Sequence, residues 1–415
     1  MLILRHHQLV VLLMFFISVS FNISIVATEK SPVLSALTIG NDAENETIED
    51  VLKRVAGVFK DPSVERVGYD KARLNKTIIM TGCNHGFINH LHNFKCFMDR
   101  LDMKFLVVAL DRKTHDYLRN TTMESIYMHS DANSGVSGES ATFRSAQFNL
   151  ITARKKEAVH DVLALGYDVL FSDTDVALTR DPFSYLLWKN VDYVHSLNGA
   201  CTVEDHWTFR GNPKEEGNTG FYYVKANLRT IALWKTAYLA VPNHPGLDDQ
   251  AVFWKVIRES KDPPIVPIGA CKDYDDTADT KYNTDPTKGK VPLVTCVLDH
   301  CVFSAGMLSR VWVPEYTYEQ LLINVEKRNE TICAVHANYL SGNSPKQQRM
   351  QEYGFWLATK TGTVKEVGSG KNHHKDHHHQ HSHDLEHWSG DCLDYKFHTE
   401  SDLSGAGDER RRRRR

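Results

Sequence analysis

The sequence predicts an α/β fold in which a mixed, mostly parallel sheet is flanked by helices. From Thr77 onward, short apolar strands alternate with helical segments, the pattern of parallel strands joined by helical crossovers. Of the 415 residues, 41% are hydrophobic and 24% charged, which excludes collagen-like, wholly disordered and polytopic membrane proteins. We expect a single folded domain over residues 77–360.

The elements of this domain follow one another in a regular order. A strand from Thr77 (TIIMTG) leads into a helical stretch from Phe87 (FINHLHNFKCFMDRLD), and a second strand follows from Lys104 (KFLVVALD). Apolar residues then recur at helical spacing from Leu150 to Leu165, and Gly166 can adopt the left-handed conformation that ends a helix. Ligands of such folds bind beyond the carboxyl ends of the strands, so we expect the functional site there.

Two aspartates leave the end of the next strand, which is predicted over Tyr167 to Phe171. Asp173 and Asp175 are two residues apart, and in an extended segment such residues can face the same point. Two oxygen ligands on a short tether favour Mn²⁺ or Mg²⁺, either of which would neutralise a diphosphate leaving group. Aspartates at strand ends also serve as loop caps and turn formers, and the pair alone leaves that alternative open.

A second polar group follows a later strand. In ICAVHANYLSGNSPK, an apolar strand ends at His336, and a loop containing Gly342 leads to Lys346. A neutral imidazole can complete the ligands of a metal ion, while an ammonium group can meet phosphate as a point charge. The alternative for the histidine is simple packing against the sheet.

The two ends of the chain differ from the predicted domain. Residues 1–30 hold an apolar run from Leu9 that follows Arg5, which predicts a signal anchor or a signal peptide. We favour an uncleaved anchor in the Golgi membrane, type II and single-pass, with the rest of the chain in the lumen; a secreted protein is the alternative. Residues 31–76 lack a sustained apolar period and are expected to form a stem.

Residues 361–415 are expected to form a disordered tail. This segment holds eight histidines between Asn372 and His387 and six arginines from Arg410, and such a composition cannot bury a core. The functional alternative is a weak metal trap followed by an anchor for acidic glycans or lipid. The whole chain carries a formal charge of only -3, so we expect no nucleic-acid partner.

Sequons and cysteines are consistent with the secretory lumen. Eight cysteines form an even set that an oxidising compartment would allow to pair. Cys296 and Cys301 could begin a zinc site, but no second pair with matching spacing follows, so we expect disulfides or buried thiols with the connectivity left open. The sequons that would be usable in the lumen are those of Asn45, Asn75, Asn120 and Asn329.

The stretch from about Thr77 to Trp356 resembles the nucleotide-diphospho-sugar transferase family of GT-A glycosyltransferases, which contains the plant cell-wall xylosyl- and arabinosyltransferases of glycosyltransferase family 77. The resemblance rests, in the family's order, on GYDVLFSDTDVALTRDP, NTGFYYVKAN, LDDQAVFW and the segment from His336 to Lys346. It implies a Rossmann-like GT-A domain that transfers a pentose or hexose from a UDP-sugar to a glycan or glycoprotein acceptor, with a place in cell-wall polysaccharide biosynthesis.

The resemblance also implies roles for particular residues. Asp173, Asp175 and His336 would bind Mn²⁺ or Mg²⁺. The segment from Asn218 to Gly220 would form a turn at which the missing side chain of glycine lets the donor sugar approach the backbone. The donor-binding residues implied in this way are Thr81, Lys156, Asp173, Asn218, Gly220, Gly342 and Lys346.

Three polar residues open the apolar helix AVFWKVI and are the catalytic candidates. Acidic residues at this place suit a helix cap whatever the chemistry, which is the alternative for Asp248 and Asp249. The resemblance gives Asp249, with Gln250 beside it, the task of holding sugar hydroxyls or shielding positive charge at the anomeric carbon. We expect retention, with the leaving phosphate accepting the acceptor's proton, whereas inversion would need a separate carboxylate base.

Two other functions match parts of the sequence. VLFSDTDVAL resembles the Asp-x-Asp strand of haloacid-dehalogenase phosphohydrolases, but it departs from that signature at Ala177 and lies behind two strand-helix units. That function would form a phospho-aspartate on Asp173. The third interpretation is a non-catalytic lumenal protein that binds glycan or metal.

Overall fold

The computed structural model describes residues 37–39, 47–57, 59, 68–128, 135–198, 201, 217–261, 263–271, 291–305, 318–360 and 388–393. The predicted anchor of residues 1–30 and the histidine-rich and arginine-rich runs lie outside the described residues. Among the helices that are described, none combines the length and the apolar character needed to cross a membrane.

The described residues form fourteen strands and eight α-helices. The strands are β1 (Leu37–Ile39), β2 (Thr77–Cys83), β3 (Leu106–Ala109), β4 (Ser125–Met128), β5 (Asp168–Ser172), β6 (Val176–Leu178), β7 (Tyr193–Leu197), β8 (Gly217–Val224), β9 (Ile265–Ala270), β10 (Leu293–Val297), β11 (Phe303–Ala305), β12 (Ala334–His336), β13 (Ala358–Lys360) and β14 (Trp388–Cys392). The helices are α1 (Ile48–Val55), α2 (Ile88–Arg100), α3 (Arg112–Leu118), α4 (Ala146–Ala164), α5 (Leu228–Ala240), α6 (Asp249–Glu259), α7 (Tyr318–Lys327) and α8 (Asn343–Glu352).

A nine-stranded sheet forms the centre, in the order β1-β4-β3-β2-β5-β8-β7-β10-β9. The pairings of β2 with β3 and β5, of β3 with β4, and of β10 with β7 and β9 are parallel. Only the pairings of β8 with β5 and β7, and of β1 with β4, are antiparallel within this sheet. The predicted fold class, a mixed and mostly parallel sheet flanked by helices, is confirmed.

Strand β2 shows why the sheet is covered on both faces. Successive side chains of a strand point to opposite faces, and Ile78 and Ile79 accordingly belong to two different buried clusters. Ile79 lies in the cluster that contains Phe94 of α2, while Ile78 lies in the cluster that contains Val159 of α4 and Trp234 of α5. A strand buried on both faces reads as a continuous apolar run, as TIIM does.

Part of the predicted stem packs on the sheet. Helix α1 buries Val51, Leu52 and Val55 in the same cluster as α4, and β1 extends the sheet beside β4. The structure therefore differs from the expected stem at residues 37–39 and 48–55. The amphipathic pattern there is only two turns long, too short to distinguish a packed helix from a linker.

The cysteines pair across the fold. The disulfides of the described residues are Cys96–Cys392, Cys201–Cys301 and Cys271–Cys296. The remaining two, Cys83 and Cys333, are buried thiols. Because Cys296 and Cys301 each pair with a different distant partner, the zinc-site alternative is wrong, and the expected combination of disulfides and buried thiols is confirmed.

The far end of the described chain lies on the folded body. Strand β14 pairs antiparallel with β13, and Cys392 is bonded to Cys96 of α2. The expected tail of residues 361–415 is therefore corrected for residues 388–392. A single cysteine in a polar segment gave no indication of its distant partner.

A buried carboxyl on α4 makes the stability of the fold depend on pH. Asp161 is 3% exposed, its Oδ1 lies 2.9 Å from Nδ1 of His160, and its Oδ2 has no hydrogen-bond partner among the described residues. Burial raises the pKa of Asp161 to about 6. A raised pKa favours the protonated form in the folded state. The stability that the protonated carboxyl contributes is therefore complete below the unfolded pKa and is lost as the pH rises through about 6.

We expect Asp161→Asn, which mimics the protonated carboxyl, to stabilise the protein at pH 8 and to change little at pH 4. The expected gain at pH 8 is about 3 kcal/mol, because the pKa rises from 3.8 to about 6 and one pKa unit corresponds to about 1.4 kcal/mol. Urea unfolding followed by circular dichroism at both pH values measures it. Asp116→Asn on the exposed face of α3 is the control, and an equal effect of Asp161→Asn at both pH values would contradict the assignment.

Candidate active site

Three side chains that can bind a metal ion meet beyond the carboxyl end of β5. A carboxylate oxygen of Asp173, one of Asp175 and a ring nitrogen of His336 all lie within 4.8 Å of one another. Asp175 Oδ1 is 3.3 Å from Nε2 of His336, and both of these side chains are buried. The structure thus brings together the three residues expected as metal ligands; we call them the acidic cluster.

Two strand pairings position the acidic cluster. Because β5 runs antiparallel to β8, the N–H of Asp173 donates to the carbonyl of Gly220 at 2.7 Å. A tight turn follows, in which the N–H of Val176 donates to the carbonyl of Asp173 at 3.2 Å. Strand β6 then pairs antiparallel with β12, with Val176 opposite His336, so the histidine lies beside Asp175.

Two lysines place positive charge beside these carboxylates. Lys346 of α8 donates to Asp175 Oδ2 at 2.6 Å, and Lys155 of α4 donates to Asp173 Oδ1 at 2.7 Å. Burial alone would raise the pKa of Asp175, but Lys346 and His336 together hold this pKa well below its usual value. Burial alone would lower the pKa of Lys155, but Asp173 raises it. Asp175 and Lys155 are therefore charged at neutral pH.

Lys156, which was expected to face the donor, forms an ion pair with Asp249, and its donor-binding role stays a prediction. Both side chains are buried, and Thr219 Oγ1 donates to the same carboxylate oxygen at 3.0 Å. Burial alone would raise the pKa of Asp249, but Lys156 and Thr219 lower it. The sequence did not single out Lys155, because neighbouring residues of a helix point about 100° apart and only the packing of α4 decides which one faces the sheet edge.

The other two residues at the start of α6 differ in their surroundings. Asp248 is the N-cap, and its side chain accepts from the N–H of Ala251 at 2.9 Å. It also accepts from Arg144 at 2.8 Å, so the cap alternative explains Asp248. Gln250 Oε1 lies 3.4 Å from the side-chain nitrogen of Asn198, a residue at the end of β7 that the sequence did not indicate. Catalytic roles for residues 248–250 stay predictions.

The segment from Asn218 to Gly220 is part of strand β8 and not the expected turn. Asn218 Oδ1 accepts from the N–H of Gly220 at 2.8 Å. A Cβ at Gly220 would lie 2.4 Å from Cε1 of His336 and 2.6 Å from Oδ2 of Asp173. The absent side chain therefore makes room for the acidic cluster itself.

Of the remaining two donor-binding candidates, Thr81 lies within a strand and Gly342 lies at the start of a helix. Thr81 lies inside β2, fully buried, and its Oγ1 has no hydrogen-bond partner among the described residues. Gly342 is the N-cap of α8, which carries Lys346, and its φ of 84° is a conformation that glycine adopts without strain. The donor-binding roles of both residues stay predictions.

The acidic cluster fits a divalent metal ion. Its donors are carboxylate oxygens and one imidazole nitrogen, and the ligand atoms are close enough together to share an ion. Carboxylates suit Mg²⁺ and Mn²⁺, and a neutral imidazole can complete the ligands of a divalent ion. The structure supports a metal-binding cluster; the identity of the ion remains a proposal.

Relatives with assigned names resemble most of this chain. Residues 100–350 match the family model described as nucleotide-diphospho-sugar transferase. The chain is 25% identical over 68% of its length to beta-arabinofuranosyltransferase RAY1 of Arabidopsis thaliana, of which it covers 48%. It is 25% identical over 70% of its length to a UDP-galactose:fucoside alpha-3-galactosyltransferase of Dictyostelium discoideum, of which it covers 44%. The chain thus spans about half the length of these two relatives.

A plant xylosyltransferase and a bacterial glycosyltransferase of known structure are also similar to this chain. UDP-D-xylose:L-fucose alpha-1,3-D-xylosyltransferase MGP4 of Arabidopsis thaliana is 22% identical over 71% of this chain and 74% of that protein. Among solved structures, the glycosyltransferase GlyE of Streptococcus pneumoniae matches with a TM-score of 0.32 and 11% identity, over 63% of this chain and 55% of that one. Because the family model spans more than half of the sequence, the chain belongs to the nucleotide-diphospho-sugar transferase family.

Proposed function

We propose that residues 77–360 are a catalytic domain that transfers a sugar from a UDP-sugar to a glycan or glycoprotein acceptor. This proposal rests on the acidic cluster of Asp173, Asp175 and His336, which lies beside two lysines at the edge of the sheet. The names of the relatives support a UDP-sugar donor, since two of them are described as using UDP-galactose or UDP-D-xylose.

The acidic cluster would hold Mn²⁺ or Mg²⁺. When bound, a divalent ion supplies Lewis-acid stabilisation of the negative charge that develops on the leaving diphosphate. Lys155 and Lys346 each lie beside one carboxylate, so they add positive charge where a diphosphate would be held. Preorganised charge of this kind stabilises a transition state without rearrangement during the reaction.

The surroundings of Asp249 support retention of configuration. Lys156 and Thr219 engage its carboxylate and lower its pKa, which makes it a weak proton acceptor at neutral pH. We propose that Asp249, with Gln250 beside it, faces the donor sugar and stabilises positive charge at the anomeric carbon. An oxygen of the leaving phosphate would then accept the acceptor's proton on the same face of the sugar.

The test is slow hydrolysis of UDP-sugars by the chain from residue 31 onward, which retains α1 and β1. UDP-xylose, UDP-galactose and UDP-arabinofuranose are incubated with Mn²⁺, with Mg²⁺ and with EDTA, and the anomeric configuration of the released sugar is followed by NMR. We expect metal-dependent release with retention. Hydrolysis that persists in EDTA would refute the metal role, and an inverted product would refute retention.

The family comparison bears on the phosphohydrolase alternative but not on the location of the chain. Because the chain belongs to the nucleotide-diphospho-sugar transferase family, the phosphohydrolase alternative is not supported.

A type II Golgi location, with residues 1–30 as the anchor, remains our proposal. Microscopy of the full chain, tagged at residue 415 and compared with a version lacking residues 1–30, tests it. Golgi retention of both forms would contradict the assignment of residues 1–30 as the membrane anchor.

A further inference from the structure

Four side-chain amides meet at the sheet edge. Asn198 Oδ1 accepts from Nδ2 of Asn218 at 2.9 Å and from Nδ2 of Asn338 at 2.7 Å, while Nδ2 of Asn198 lies 3.4 Å from Oε1 of Gln250. We call Asn198, Asn218, Gln250 and Asn338 the amide cluster. Neither Asn198 nor Asn338 takes part in the proposed chemistry.

The amide cluster borders the acidic cluster. The point at which a Cβ on Gly220 would stand is 3.1 Å from Oδ1 of Asn218, 2.4 Å from Cε1 of His336 and 2.6 Å from Oδ2 of Asp173. Asn338 lies two residues beyond His336, the last residue of β12. A group attached to a diphosphate held at the acidic cluster would therefore lie within reach of the amides.

The amide cluster has unused hydrogen-bonding capacity. Asn338 Oδ1 is buried and has no hydrogen-bond partner among the described residues. The contact between Asn198 and Gln250, at 3.4 Å, is close to the limit of a hydrogen bond. A buried acceptor without a partner is unfavourable, and a ligand that supplies a donor removes that penalty.

The chemistry of the four groups indicates what such a ligand is. All four are neutral and carry both a donor and an acceptor, whereas the diphosphate would be met by the lysines. A hydroxyl group also donates and accepts, so several amides gathered at one place match a ring that bears several hydroxyls. Neutral amides can bind such hydroxyls without a charged side chain.

We propose that the amide cluster binds the hydroxyl groups of the donor sugar, with Asn198 and Asn338 as specificity-determining residues. This inference rests on the proposed function, since it takes the diphosphate to lie at the acidic cluster. A sugar that lacks a matching hydroxyl would leave a buried amide unpaired and would be discriminated against, as in other sites built to bind hydroxyls.

The test compares the affinities of the full chain for UDP and for UDP-sugars by titration calorimetry in the presence of Mn²⁺. The probes are UDP, UDP-xylose and UDP-galactose. We expect the parent protein to bind one UDP-sugar more tightly than UDP. Asn338→Ala and Asn198→Ala should each weaken that UDP-sugar about tenfold, a typical effect of one lost hydrogen bond or two, and leave UDP unchanged. Asn243→Ala is the control, since this exposed amide lies outside the amide cluster and donates to the Leu239 carbonyl.

The outcomes separate this inference from the proposed function. A UDP-sugar affinity unchanged in both variants overturns the inference, and so does an equal loss for UDP and UDP-sugar, which would mean that the amides only position the acidic cluster. A parent protein that binds neither UDP nor any UDP-sugar overturns the proposed function itself. If Asn338→Ala does not unfold cooperatively, Asn338→Ser replaces it and is judged by the same criteria.

Discussion

Asp175→Asn is expected to lower UDP-sugar hydrolysis and sugar transfer about a thousandfold, the order found when a preorganised electrostatic group is removed from an active site. The carboxylate lies between Lys346 and His336, which hold its pKa well below the usual value. An amide of the same shape removes the negative charge, which leaves the ammonium group of Lys346 without its counter-charge. Weaker Mn²⁺ binding, measured by calorimetry on the purified protein, should accompany the loss of turnover.

The control for Asp175→Asn is the same change at Asp116, an exposed residue that pairs with Arg112 on the surface of α3. We expect this variant to match the parent protein in turnover and Mn²⁺ affinity, because exposed ion pairs contribute little. Circular dichroism of both variants establishes that they are folded. Full activity of folded Asp175→Asn would end the proposal that the acidic cluster holds the metal ion.

Gly220→Ala is expected to reduce turnover about a hundredfold or more and to weaken metal binding. The added methyl group would lie 2.4 Å from His336 and 2.6 Å from Asp173. Neither neighbour is the end of a long flexible side chain, so the two ligands must move apart. Small displacements of reacting groups have effects of this order on rate.

Gly246→Ala provides a matched control for this substitution. No atom of the described residues lies within 4 Å of the position where its Cβ would be, and we expect turnover and Mn²⁺ affinity to remain at the level of the parent protein. Comparing the two variants separates steric intrusion at the acidic cluster from the general effect of replacing a glycine. Equal, wild-type behaviour of both would show that the room beside Gly220 is unimportant.

The elements that could be predicted are those whose signals are local in sequence. The helical period ending at Gly166 predicted α4, and the structure ends this helix at Ala164 with Gly166 in the left-handed conformation at φ 88°. The apolar runs before Asp173 and at His336 predicted β5 and β12. Their order alone indicated the fold class, because strand-helix alternation is a property of neighbouring segments.

The contacts that join distant segments could not be predicted in the same way. The pairing of β6 with β12, which sets Val176 opposite His336, has no counterpart in the local pattern of either strand. The choice between Lys155 and Lys156 depends on how α4 is rotated against the sheet. Asn198 follows β7 without belonging to any motif, so the amide cluster is visible only in three dimensions.

The register of β13 with β14, in which Lys360 lies opposite Trp388, has a consequence for proteolysis. The interval 361–387, which holds the eight histidines, lies in sequence between β13 and β14, and these two strands pair with each other. Cys392 of β14 is also bonded to Cys96. A protease that cuts once within the interval would leave both pieces covalently joined. Electrophoresis should then show one band of unchanged mass until a reductant is added, and two bands afterwards.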